Sequence, residues 1–78
     1  MKKVKRNTMK SIFHLHRPMF PPDFERLKTQ AAVEFRFHQH NLSLSGTELR
    51  VEMPKGNLIE PWNELSYYIK GFLLALNY

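Results

Sequence analysis

Residues 60–76 read EPWNELSYYIKGFLLAL, and this segment has the periodicity of an amphipathic helix. Pro61 suits the first helical position, because proline has no N–H to leave unpaired there. On a helical wheel of about 100° per residue, six large apolar side chains gather into one broad stripe. They are Trp62, Leu65, Ile69, Phe72, Leu73 and Leu76. The sequence therefore predicts a C-terminal helix whose apolar side covers the core.

Two alternating segments before this helix predict an antiparallel hairpin. Residues 32–40 alternate apolar and polar side chains, which is the period-2 pattern of a half-buried strand. Residues 48–53 repeat the pattern, and a Ser-Gly-Thr turn signal at residues 45–47 stands between them. Residues 41–45 are expected to continue or bend the first strand. The side chains expected to face inward are Val33, Phe35, Phe37, Leu49, Val51 and Met53.

The N-terminal half predicts two shorter elements. Residues 10–16 alternate in the same way and indicate a short strand, which ends before Pro18. Asp23 can cap a short helix over residues 23–30. The apolar side of that helix would consist of Phe24, Leu27 and Ala31.

Together these elements predict an α+β fold. A small antiparallel sheet of two or three strands is packed on one face by the amphipathic C-terminal helix. A hairpin alone is only marginally stable in water, so the helix is needed to complete the core. With 78 residues the chain forms one domain, which we place at residues 10–78.

The charge of the chain is unevenly distributed. The formal net charge is +5, from twelve Lys or Arg and seven Asp or Glu residues. Five of the basic residues lie in the first ten positions, where there is no acid, so residues 11–78 are neutral. Residues 1–8 lack apolar periodicity and predict a flexible basic arm. Its cations would attract phosphate groups, so a nucleic-acid-associated protein is the second interpretation of the sequence. The cations concerned are Lys2, Lys3, Lys5, Arg6 and Lys10.

Several functional classes find no support in the sequence. The chain has no cysteine, which excludes disulfides, thiolate zinc sites and cysteine nucleophiles. Neither a signal peptide nor an apolar run of about 20 residues is present, so we expect a cytoplasmic protein without membrane association. The three glycines are scattered and do not form a phosphate-binding loop. No paired carboxylates or nucleophile with a base stand out, so we expect a non-enzymatic protein that needs no cofactor.

The histidines occur as two His-x-His pairs, His14 with His16 and His38 with His40. On a strand, residues i and i+2 share a face and lie about 6.6 Å apart, which lets both imidazoles bind one metal ion. If the two strands are neighbours, four imidazoles could converge on Zn²⁺, Ni²⁺ or Cu²⁺. The alternative is that an exposed strand face tolerates histidine and the two pairs never meet.

A second apolar stripe lies on the side of the C-terminal helix away from the core. Tyr67, Leu74 and Tyr78 follow at i, i+7 and i+11, and Gly71 lies between them on the wheel. Exposed aromatic residues are typical of protein interfaces, and a glycine permits close approach. Two alternatives are that singly exposed apolar residues are ordinary, or that residues 19–20 fold over this stripe. We expect a regulatory or accessory protein that binds another protein, or a second copy of itself, through this stripe.

Overall fold

The computed structural model describes residues 8–54 and 59–78. One antiparallel sheet consists of β1 (Met9–His14), β2 (Asn41–Ser45) and β3 (Glu48–Met53), in the order β1-β3-β2. The C-terminal helix packs against this sheet. The predicted α+β fold is therefore confirmed, with three strands. In chain order the elements are β1 (Met9–His14), α1 (Pro21–Glu34), β2 (Asn41–Ser45), β3 (Glu48–Met53) and α2 (Ile59–Ala75).

The central strand β3 follows the predicted alternation. Leu49, Val51 and Met53 are buried, whereas the residues between them lie on the opposite, outer face of the sheet. The neighbouring strands add three apolar side chains that pack against the same core. These are Phe13 from β1 and Leu42 and Leu44 from β2.

The apolar stripe of α2 covers this inner face, as the helical periodicity predicts. Leu65, Ile69 and Leu73 are buried. Trp62, Phe72 and Leu76 are partly buried and pack against the same core. Burial of each such side chain stabilises the fold by about 1.5–3 kcal/mol, so this helix supplies a large part of the core.

The strand predicted over residues 32–40 is wrong, because α1 is longer than predicted and runs through the first part of that segment. Leu27, Ala31 and Phe35 recur every four residues and are all buried, which is a helical repeat. Val33 and Phe37, which were expected to face inward, are 58% and 81% exposed. The alternation of residues 32–40 is therefore overridden by a helical repeat that begins upstream.

The partner of β3 in the hairpin is β2, the segment that is predicted to continue or bend the first strand. Ser45 pairs with Glu48, so Gly46 and Thr47 form a two-residue turn. Gly46 has a φ of 61°, a left-handed conformation that glycine adopts without steric cost. The prediction of a hairpin at this turn is confirmed, but its first strand is short.

The start of α1 lies two residues before the predicted one. Phe20 is the N-cap residue, and Pro21 and Pro22 occupy the first helical positions. Prolines are favoured there because the first N–H groups of a helix have no partner within it. Asp23, predicted as the cap, lies in the first turn instead.

Candidate protein-binding surface

The outward side of α2 exposes apolar side chains in its C-terminal half. Tyr67 and Leu74 are 71% and 72% exposed, as the periodicity predicts. Gly71 lies between them, and no described atom outside its own helix turn and chain neighbours lies within 4 Å of the position that a Cβ would occupy. Tyr67, Gly71 and Leu74 are called the α2 patch below. A partner surface can approach the helix backbone closely at its centre.

Tyr78 does not belong to this patch, because its side chain is only 6% exposed. The prediction that Tyr78 is exposed beside Tyr67 and Leu74 is therefore wrong. The helix ends in a Schellman motif at Asn77, whose φ is 62°. The Asn77 N–H donates to the Leu74 carbonyl at 3.2 Å, and the Tyr78 N–H donates to the Leu73 carbonyl at 2.9 Å. The left-handed residue turns the chain, so Tyr78 no longer follows the helical wheel.

The buried tyrosine is held by residues 16–23 instead. Its hydroxyl donates to Oδ2 of Asp23 at 2.6 Å and accepts the Phe20 N–H at 2.8 Å. Its main-chain oxygen accepts the His16 N–H at 2.9 Å, and the Arg17 guanidinium lies 3.9 Å from the centre of its ring. The alternative that the N-terminal segment covers the stripe therefore applies to Tyr78, and it leaves Tyr67 and Leu74 exposed.

A groove of about 360 Å³ lies beside the α2 patch, between α2 and the end of β1. Leu74 lines both the patch and the groove, and Lys70 lines the groove on the same side. Phe13 and His14 form part of the opposite wall. The patch and the groove are therefore one continuous surface.

The groove borders an unpaired strand edge. The Leu15 N–H donates to the Thr47 carbonyl at 2.7 Å, so the odd-numbered residues of β1 bond toward β3. In an antiparallel ladder the alternate residues, here Ile12 and His14, direct their N–H and C=O groups away from that partner. No strand of the described ranges lies beyond β1. Local periodicity does not encode strand order, so the sequence alone does not indicate this edge.

The electrostatics of the groove are basic. Lys70 is exposed, and none of the described residues that line the groove is Asp or Glu. Arg17, next to the groove, donates from Nη2 to the Leu76 carbonyl at 2.9 Å. A binding partner would therefore meet positive charge at this position.

The histidine pairs do not come together. His14 and His16 are exposed at the C-terminal end of β1, while His38 and His40 precede β2 and lie on no strand. Both β1 and β2 are antiparallel to β3, so the end of β1 and the start of β2 lie at opposite ends of the sheet. Over residues 8–54 and 59–78, no group of three His, Cys, Asp or Glu side chains is placed to hold a metal ion. The condition for a four-histidine site is not met.

The basic arm falls mostly outside the described residues. Four of its cations, at positions 2, 3, 5 and 6, lie there, and their role stays a prediction. Lys10 is exposed on the outer face of the sheet and pairs with Glu52 on β3. Arg50 on that face lies 3.0 Å from Glu48. The outer sheet face carries both signs of charge, so nothing on it favours binding to nucleic acid over binding to protein.

Comparison with known proteins found no matching family model, no similar curated protein and no similar solved structure. Within the part of the chain that the structure describes, neither helix has the length and apolar character needed to cross a membrane. The function is therefore inferred from the surface chemistry of the chain itself.

Proposed function

We propose that this chain is a small non-enzymatic protein-binding module, regulatory or accessory in role, that binds another protein through the α2 patch. The observation that carries the proposal is the exposure of Tyr67 and Leu74 on one side of a well-packed helix. Gly71 between them adds a site of close approach. The predicted cytoplasmic location and the alternative of a homodimer stay predictions.

The size of the patch constrains the partner's footprint. Stable interfaces bury about 800 Å² on each partner, far more than two side chains expose. Full burial of a leucine side chain contributes only about 1.5–3 kcal/mol. The partner must therefore extend beyond the α2 patch, and the adjoining groove and strand edge offer the continuous surface that it needs.

The test is partner capture with the double variant Tyr67→Ala/Leu74→Ala. The immobilised chain is cross-linked in cell extract, and captured proteins are quantified by mass spectrometry against a bare matrix. We expect the variant to lose the partners that the wild-type chain enriches, with an unchanged circular dichroism spectrum. Sedimentation of the purified chain in parallel reports self-association.

Val33→Ala/Phe37→Ala provides a matched control. These two side chains are also exposed and apolar, but Val33 lies in the last turn of α1 and Phe37 just after it, outside the α2 patch. The control variant should retain capture. Equal capture by the wild type and the α2-patch variant, or a monomeric wild type that captures nothing, would contradict the proposal.

A further inference from the structure

We infer that the partner adds an extended segment to the free edge of β1, in the groove beside α2, and that this segment carries both carboxylate and apolar side chains. The inference rests on the proposed function and specifies the chemistry of the partner. It assigns a role to the outward main-chain groups of Ile12 and His14 and to the Lys70 ammonium. The α2 patch alone leaves these groups unexplained.

The main chain of β1 presents hydrogen-bonding groups where an added strand would lie. Ile12 and His14 direct N–H and C=O groups outward, and within the described ranges no main-chain group bonds to them on that side. The next outward N–H, that of His16, already donates to the Tyr78 main-chain oxygen at 2.9 Å. Tyr78 therefore closes one end of the edge, and the remaining part accommodates a short added strand.

The walls of the groove determine which side chains the added segment presents. Successive side chains of a strand point to opposite faces, so every second one enters the groove. These side chains meet Leu74 and Phe13, which are apolar, and Lys70, which is cationic. The intervening side chains lie on the outer sheet face beside Ile12, which is 44% exposed. An edge strand facing a helix is a known arrangement for peptide recognition by strand addition.

Charge complementarity selects an acidic segment. The first 22 residues of the chain contain no Asp or Glu, and Lys70 forms no salt bridge with any described residue. A carboxylate is the group that neutralises an exposed ammonium at the edge of an interface. The basic residues within those 22 positions are Lys2, Lys3, Lys5, Arg6, Lys10 and Arg17.

The same charges disfavour a second copy of the chain as the occupant. Edge-to-edge pairing of two β1 strands would bring Lys10 of each chain toward a strand that has no acid to neutralise it. Like charges facing each other across a strand pair are destabilising. A separate protein with an acidic segment therefore fits the edge better than self-association.

The test begins with selection of binders from a phage-displayed library of random 12-residue peptides on the immobilised full chain. We expect the enriched peptides to combine Asp or Glu with apolar residues. The most enriched peptide is then synthesised and its Kd is measured. Lys70→Glu should weaken this peptide about tenfold, as the loss of one close charge pair implies, whereas Lys70→Gln should weaken it less. Enrichment of basic peptides, or of none, would overturn the inference.

A pair of variants at Ile12 tests the strand edge. Ile12→Pro removes an outward N–H without removing a bond of the β1–β3 ladder, and proline is tolerated on strand edges. Ile12→Thr keeps both the N–H and the branched side chain. We expect the proline variant to weaken the selected peptide more than tenfold and the threonine variant less than twofold. Equal affinities of the two variants would overturn strand addition.

Amide chemical shifts of the wild-type chain provide a readout that does not depend on folding of the variants. Titration with the selected peptide should shift the Ile12 and His14 amides. Shifts confined to Tyr67, Gly71 and Leu74 would leave the proposed function standing and overturn the inference alone. If the wild-type chain is a dimer that Ile12→Pro dissociates, and this variant also loses partner capture, then the edge binds a second copy of the chain. That outcome would also overturn the inference.

Discussion

Tyr67 and Tyr78 lie eleven residues apart near the C-terminal end of the chain and have opposite surroundings. Tyr67 projects from the exposed side of α2 into solvent, whereas Tyr78 is enclosed by residues 16–23 and the end of the same helix. An ideal helix would place both on one side. The turn at Asn77 separates them, so one tyrosine stabilises the fold and the other is available to a partner.

The enclosed region is stabilised by charges at two helix ends. Asp23, which accepts the Tyr78 hydroxyl, lies in the first turn of α1, where a carboxylate interacts favourably with the helix dipole. Arg17 donates to the Leu76 carbonyl at the end of α2, where a cation is favoured. The α2 patch has no comparable network among the described residues, so substitutions in the two regions should have different effects on stability.

The largest expected effect is that of Tyr78→Ala. Removal of a buried aromatic side chain leaves a cavity and costs about 3–5 kcal/mol in the free energy of unfolding. Tyr67→Ala removes an exposed side chain and should change that free energy by less than about 0.5 kcal/mol. Urea unfolding followed by circular dichroism measures both. Similar losses in the two variants would contradict the distinction between the regions.

A smaller effect is expected for Tyr78→Phe, which keeps the ring and removes only the hydroxyl. The Phe20 N–H and the Asp23 carboxylate then lose a partner, and a hydrogen bond to a charged group contributes about 1.5–3 kcal/mol. A double-mutant cycle with Asp23→Asn should give a coupling free energy of about 1 kcal/mol or more. Tyr67→Phe is the control and should leave the urea midpoint unchanged. Additive effects of the two substitutions would argue against the bond.

The smallest effect concerns Tyr68, whose exposure lies between those of the other two tyrosines. Its hydroxyl donates to Gln30 at 2.9 Å, and burial, with a smaller contribution from the Glu34 charge, raises its pKa above the ordinary 10.0. The folded chain thus holds this proton more tightly than the unfolded chain. The stabilisation is fully present below pH 10 and is lost as the pH rises through the raised pKa.

The measurement is the urea midpoint of the wild type and of Tyr68→Phe at pH 8 and above pH 10. The wild type should lose more stability than the variant over this interval, because phenylalanine has no proton to release. Since Tyr67 and Tyr78 are present in both proteins, the difference between them isolates Tyr68. Parallel pH dependences would contradict the raised pKa.

Local sequence patterns predict those parts of the fold that local contacts determine. The turn at Gly46, the alternation of β3 and the apolar stripe of α2 are all confirmed, because each depends on neighbours within one or two turns. The segment around Phe35 satisfies two patterns at once. It belongs to the alternation of residues 32–40 and to the four-residue repeat of Leu27 and Ala31, and only packing against α2 determines which pattern prevails.

The candidate site is predictable to the same limited extent. The exposure of Tyr67 and Leu74 follows from the wheel, but that of Tyr78 does not, because a left-handed residue intervenes at Asn77. The groove and the free edge of β1 depend on strand order. Strand order is set by pairing between residues far apart in sequence, and no local period encodes it.

The strand order also constrains synthesis of the chain. Met9 pairs with Met53 and His14 with Glu48, so β1 has no partner on β3 until translation passes those positions. At about 5–20 residues per second, a ribosome needs several seconds to cover that distance. Until then the apolar side chains of β1 have no sheet in which to pack. The cations around β1 have no Asp or Glu beside them within the first 22 residues, so they repel the same strand on neighbouring nascent chains. Such charges at strand edges are a general protection against aggregation.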